Sequence, residues 1–326
     1  MEPHRRVLLL HTGGTLGMTG SPLEPGAYGA RLADAVPELG RIANLEVRIV
    51  FNLDSSDVGP AEWGLLARTI AEEWGAWDGF VVVHGTDTMA YTASALAFAL
   101  SGLDRPVVFT GAQRPLASLR SDARRNLADA VELATTSLPE VGVCFDGLLL
   151  RGCRAVKADA TSYRAFSSPG VAPLAVLGTR IEVGQHVRVP SGPFRCHPTF
   201  ESEVDVIYMS PGMDAPGLAY RMDRPGLRGV VLAAYGAGTV PNVGMAEVVA
   251  SAIERGIEVM VVTQHGGSTD LGLYANSRQL RDVGAIPGGG MRVEAAVPKL
   301  MHALAAYPER QARRAYLLQD VAGERL

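Results

Sequence analysis

FVVVHGTDTMAYTASALAFAL, residues 80–100, holds a complete strand–turn–helix unit. Phe80 to Val83 are four consecutive apolar residues, the mark of a strand covered on both faces. His84 to Thr88 form a polar, glycine-bearing turn, and a helix is expected over 89–101. Thr88 or Asp87 stands where a helix cap belongs, which directs the positive helix end at the turn. The pattern recurs in VLLLHTGGTLG (7–17), VRIVFNLDSSD (47–57) and PVVFTGAQRP (106–115). Strands are expected at 5–12, 45–53, 79–84, 106–111 and 141–150, and helices at 29–37, 60–76, 89–101 and 121–136. Helix 60–76 carries Pro60 in its first turn and Trp63, Leu66, Ala67 and Ile70 at helical spacing. Such alternation predicts a mostly parallel sheet flanked by helices.

A chain of 326 residues exceeds the usual reach of one hydrophobic core, so two domains are expected. RGCRAVKADATSYRAFSSPG (151–170) has the texture of a hairpin. The proline- and glycine-bearing stretch VPSGPFRCHPTFES then interrupts the βα pattern. Alternation resumes with VDVIYMSPGM, GVVLAAYGAGTVP and EVMVVTQHGG, with helices expected near 214–222, 242–255, 296–306 and 308–317. The reading is an α/β protein of two domains. A larger amino-terminal domain spans 1–187, a linker 188–203, and a smaller carboxyl-terminal α/β domain 204–326.

Bulk properties exclude several classes. A net charge of −4 and the absence of any long lysine–arginine run speak against a nucleic-acid surface. VLLL is too short for a secretory apolar segment, and nothing reaches membrane-spanning length, so no membrane partner is expected. Cys144, Cys153 and Cys196 are odd in number and lack C-x-x-C spacing, which leaves neither a disulfide framework nor a zinc site. The cytoplasm is the default location.

In an open α/β sheet, ligands bind in the crevice outside the carboxyl ends of the strands. That rule gathers Thr12, Ser55, Asp57, Thr86, Asp87 and Lys157 at one edge. Read singly, Asp87 caps a helix, Lys157 is a surface ammonium, and HTGGTLG is a tight turn. Read together, they supply what a threonine nucleophile requires: a neighbouring amine to relay its proton and a carboxylate to orient that amine. Asp54, Ser55 and Ser56 of DSSD offer hydroxyls and carboxylate for the α-groups of an amino-acid ligand. They also suit a plain Asx or Ser turn. His11 and His84 end apolar strands and read as core imidazoles. Neither a dinucleotide fingerprint, a P-loop nor the G-x-S-x-G elbow is present.

TGGT (12–15), DSSD (54–57), HGTDTMAYTASAL (84–96), TGAQRP (110–115), RSDARRN (120–126) and RGCRAVKA (151–158) resemble the bacterial-type L-asparaginases, most closely the cytoplasmic type I branch. The resemblance continues into AAYGAGTVP and VVTQHGGS. It implies that Thr12 attacks the side-chain amide of L-asparagine and that Thr86, Asp87 and Lys157 form a relay triad. It further implies that Ser55, Ser56 and Asp87 hold the substrate α-groups. The backbone around Ala112 would contact the side-chain amide, and Tyr28 would close over the site from a mobile loop. No metal or organic cofactor is implied. A homodimer, often doubled to a tetramer, would carry each site between two subunits. Two other readings stand beside it: the amidase subunit of a tRNA-dependent amidotransferase, and a catalytically silent amino-acid sensor. Against the first, the chain begins only a few residues before its first strand, where such subunits carry an extra domain. Against the second, all four catalytic side chains are present.

Overall fold

The computed structural model describes residues 5–19, 24–25 and 35–325. It separates into two compact units, one ending at Pro198 and one beginning at Thr199. The first unit is built on an eight-stranded mixed sheet. Its strands are β1 (Arg6–Gly13), β2 (Asn44–Leu53), β3 (Gly79–Val83), β4 (Val107–Thr110), β5 (Val141–Phe145), β6 (Leu148–Arg151), β7 (Ala175–Leu177) and β8 (Ile181–Val183). Their spatial order is β8-β7-β6-β5-β4-β3-β1-β2. β2 through β5 run parallel with β1, while β6, β7 and β8 are joined in antiparallel fashion.

β1 pairs with β2 on one side and β3 on the other, with Leu10 opposite both Arg48 and Val82. The chain therefore crosses β1 between its second and third strands. This is the topological switch point where an open sheet leaves a crevice. The apolar runs are covered on both faces: Val7 to Leu10 and Phe80 to Val83 are wholly buried. Helices α1 (Pro60–Glu73), α2 (Met89–Ala99) and α3 (Ala123–Ala134) connect the strands. At the end of α2, Leu100 and Ser101 pair with Cys196 and Arg195, which ties part of the 188–203 stretch to this unit.

Two expectations need revision. Residues 141–150 are not one strand. Asp146 and Gly147 adopt left-handed backbone (φ 50° and 75°) and fold the run into a two-residue hairpin, with Phe145 opposite Leu148. Asp-Gly is the composition such turns favour. Only the end of the helix expected over 29–37 is revised: residues 29–34 lie outside the described residues, Ala35 is helical, and the chain passes into a 3₁₀ turn at Pro37–Arg41.

The second unit has a four-stranded parallel sheet in sequential order: β9 (Val204–Tyr208), β10 (Gly229–Ala234), β11 (Glu258–Thr263) and β12 (Ile286–Pro287). Its helices are α4 (Ala215–Met222), α5 (Met245–Glu254), α6 (Ala275–Asp282), α7 (Val293–Ala306) and α8 (Arg310–Leu318). α6 has no counterpart among the sequence expectations, because only Ser277 and Leu280 of its residues are buried and no apolar period forms. Lys299 of α7 is fully buried against the Glu324 carboxylate and donates to the Gln319 carbonyl at 2.6 Å, which anchors the end of the chain. Among the described residues no helix is long and apolar enough to cross a membrane.

Candidate active site

Three turns at the carboxyl ends of β1, β2 and β3 close on one another at Gly14 and Gly85. Gly14 has φ 88°, and a Cβ there would stand 2.4 Å from the Gly85 nitrogen. A Cβ on Gly85 would stand 2.6 Å from the Ser55 hydroxyl oxygen. Both separations are too short for any side chain, so glycine at these positions is what lets the turns converge.

Thr12 ends β1, is 1% exposed, and donates its hydroxyl proton to the Val83 carbonyl on β3 at 2.8 Å. Asp54 closes its own turn: its Oδ1 accepts from the Ser56 amide at 2.8 Å and the Ser56 hydroxyl at 2.7 Å. These bonds hold the Asp54 pKa below the usual carboxylate value. Asp54 and Ser56 thus satisfy each other, and Ser55 is left buried beside the Gly85 backbone.

The turn after β3 carries the charged part of the site. Lys157 Nζ donates to Thr86 Oγ1 at 2.8 Å and to Asp87 Oδ1 at 2.5 Å. The ammonium side chain is 17% exposed, whereas the Asp87 side chain is 67% exposed. Asp87 therefore keeps a solvent-facing carboxylate oxygen while the other holds the lysine. Thr88 occupies the N-cap position of α2 but makes no side-chain capping bond. Its hydroxyl goes to the Ser55 carbonyl instead.

Lys157 arrives by an indirect route. β6 leads back to Arg151, opposite Gly142 near the start of β5. The next residue, Gly152, is tied to α2 through its carbonyl, which accepts from Ser94 Oγ at 3.3 Å. Val156 and Lys157 then pair with Ser167 and Phe166 in a short antiparallel ladder. The intervening loop is closed by Asp159, which accepts from the Thr161 and Ser162 amides at 2.7 and 2.8 Å. Tyr163 donates to the Arg120 carbonyl, and Arg164 reaches Asp146 at 2.9 Å.

Ala112 is buried in the turn after β4. The peptides around it are fixed by two residues that sequence reasoning did not single out. Asn126 Nδ2 donates to the Gly111 carbonyl at 3.0 Å, and the Asp122 carboxylate accepts the Gln113 amide at 2.9 and 3.1 Å. Gln113 was missed as well. Its Oε1 accepts from Thr86 Oγ1 at 3.2 Å, and its Nε2 donates to the Ala160 and Ser162 carbonyls at 3.1 and 3.0 Å. TGAQRP and RSDARRN had flagged these segments, but partners that are distant backbone groups leave no local signature. Tyr28 lies outside the described residues.

His84 is a satisfied core imidazole. Burial lowers its pKa to about 4, so it is neutral near pH 7. Nδ1 faces the Gly85 carbonyl at 2.7 Å and must carry the proton, while Nε2 meets the Thr92 hydroxyl at 3.0 Å. Thr92 in turn accepts from the Trp63 indole at 3.1 Å. His11 is also buried, and burial lowers its pKa. Among the described residues no group of three or more His, Cys, Asp or Glu side chains is arranged to hold a metal ion.

The chemistry on offer is a hydroxyl–amine–carboxylate chain beside a second buried hydroxyl, set among backbone groups of glycine turns. Comparisons with known proteins identify the family. The sequence model of the amino-terminal asparaginase domain matches residues 6–188, and that of the glutaminase/asparaginase C-terminal domain matches residues 203–317. L-asparaginase 1 of Escherichia coli (strain K12) is 35% identical over 337 residues, spanning 98% of this chain and 98% of the relative. The structure of L-asparaginase I from Vibrio cholerae superposes with a TM-score of 0.90 at 35% identity, covering 99% of each chain. The thermostable L-asparaginase from Thermococcus kodakarensis gives a TM-score of 0.90 at 32% identity, covering 98% of this chain and 99% of its own. The chain belongs to the asparaginase family.

Proposed function

We propose that the protein is an L-asparaginase, converting L-asparagine and water to L-aspartate and ammonia through a threonine nucleophile. The observation that carries this reading is the Lys157 amine bonded at once to Thr86 and Asp87, next to the strand end that bears Thr12. Thr12 Oγ adds to the side-chain amide carbon, and its hydroxyl proton ends on the amide nitrogen that will leave. Backbone N–H groups of the glycine turns receive the oxyanion. The C–N bond breaks as the departing nitrogen gains a proton, and ammonia leaves a β-aspartyl ester on Thr12. Water, deprotonated through the Thr86–Lys157–Asp87 chain, hydrolyses that ester and restores the hydroxyl. General acid–base help is worth ~10²–10⁴ in rate and an oxyanion donor ~10²–10³.

The free Asp87 oxygen is well placed for the substrate ammonium, and Ser55 with neighbouring backbone for its carboxylate. Glutamine is one methylene longer, a difference worth only ~1–3 kcal/mol, so minor glutaminase activity belongs to this reading. So do a cytoplasmic location and a homodimer with sites between subunits, as the likeness to type I enzymes suggests. Ammonia release measured from asparagine and from glutamine, with no tRNA present, tests the reading. Activity on free asparagine excludes the silent sensor and the strictly tRNA-dependent amidase. Binding of asparagine without ammonia release would overturn the proposal.

A further inference from the structure

We propose that Gln113 is a positioning residue for Thr86, deepening the asparaginase reading on which it rests. The Thr86 oxygen has one proton and two lone pairs. Lys157 Nζ donates to that oxygen at 2.8 Å, so a lone pair is committed to the amine. The proton goes the other way, to Gln113 Oε1 at 3.2 Å. Gln113 thereby fixes the rotamer of Thr86 and keeps an oxygen lone pair, rather than the proton, aimed at the amine in the resting site. Thr12 is held alike, its proton on the Val83 carbonyl. Both hydroxyls are thus poised with their protons on acceptors that are not the relay base. For Thr86 to hand its proton to Lys157, the ammonium must pass one of its own to Asp87 Oδ1, 2.5 Å away, and the hydroxyl must turn about its Cβ–Oγ bond and leave Gln113. The 3.2 Å bond, longer than a usual O–H···O contact, makes that release cheap.

Gln113 is itself held at three points. Its backbone N–H is fixed by Asp122, and its Nε2 donates to the Ala160 and Ser162 carbonyls in the loop beyond Lys157. One side chain thus joins the turn after β4, the second threonine, and the loop bearing the amine. A small shift of that loop would be felt at the hydroxyl.

Two variants separate positioning from plain support. Gln113→Met and Gln113→Glu both lack the Nε2 donors, but only glutamate keeps an oxygen that can accept from Thr86. The expected result is a kcat lowered ~10–10²-fold in Gln113→Met with KM within about threefold of wild type. Gln113→Glu should retain at least about five times the kcat of Gln113→Met, whatever their relative melting temperatures. Equal kcat in the two variants, or wild-type kcat in Gln113→Met, would overturn the role assigned to Gln113 while leaving the asparaginase reading intact. Wild-type protein inactive on asparagine would overturn both.

Discussion

The Thr88 hydroxyl donates to the carbonyl of Ser55 at 2.6 Å, joining the turn after β2 to the turn after β3 across 33 residues of sequence. Ser55 and Thr86, to which we assign substrate binding and proton relay, are thereby held on one backbone frame. Thr88→Val should cost about 1 kcal/mol in stability. It should also reduce kcat/KM for asparagine ~10-fold, since the two turns lose their common reference. Urea titration and steady-state kinetics check this; a variant with unchanged kcat/KM would show that the staple has no bearing on the site.

Thr12→Ala and Thr86→Val should each abolish measurable ammonia release. Thr12→Ala removes a hydroxyl with one hydrogen bond and Thr86→Val one with two, each bond worth only ~1–2 kcal/mol to folding. The cooperative thermal transition should therefore persist near its original temperature. Ammonia detection alongside calorimetry checks both halves. Wild-type turnover in Thr12→Ala would dismiss the nucleophile.

Gly14→Ala should be far more damaging to folding than its size suggests. It combines left-handed backbone, φ 88°, with a Cβ 2.4 Å from the Gly85 nitrogen. A loss of at least ~2 kcal/mol is expected, because the clash is with backbone that cannot swing aside. Urea midpoints measure it, and a neutral substitution would contradict the backbone contact.

His84 makes stability depend on pH. Burial depresses its folded pKa to about 4 from the ordinary histidine value of 6.5, so between those values the unfolded chain binds more protons than the folded one. Stability is full above about pH 6.5, falls as pH drops toward 4, and has lost this contribution, roughly 3 kcal/mol, below that. In His84→Gln the slope of unfolding free energy between pH 6.5 and 4 should flatten. A slope unchanged by the substitution would assign the dependence to other groups.

Lys299 and Glu324 form a wholly buried ion pair. Lys299→Met leaves the buried carboxylate without its counter-charge, with the Val321 and Ala322 amides still donating to it, and should cost about 3–5 kcal/mol, whereas the double variant with Glu324→Leu should recover part of it. Melting temperatures of the single and double variants decide; a double variant no better than the single would deny the pairing.

Much of this architecture was open to reading from residues alone, for a physical reason. Val7 to Leu10 and Phe80 to Val83 are buried on both faces, so they appear as unbroken apolar runs, and polar turns mark where they end. Thr12, Thr86 and Asp87 could be gathered because strand direction dictates which turns share an edge; Lys157 follows the antiparallel β6, so that rule does not account for its place beside them. The hairpin at 141–151 was misread because apolar residues flank Asp146–Gly147 on both sides and hide the reversal. Gln113, Asp122 and Asn126 escaped because each binds main-chain atoms of a neighbouring turn, a pairing that no spacing rule encodes. The polar helix α6 buries too little to leave a period.

Asp146 both reverses the chain and receives Arg164 from the far limb of the Lys157 loop. A single added or deleted residue at 146–147 would therefore misalign the amine without touching any group that contacts substrate. Protein engineers seeking altered turnover could vary this hairpin length, and homologues with a different count there should differ in chemistry before they differ in affinity.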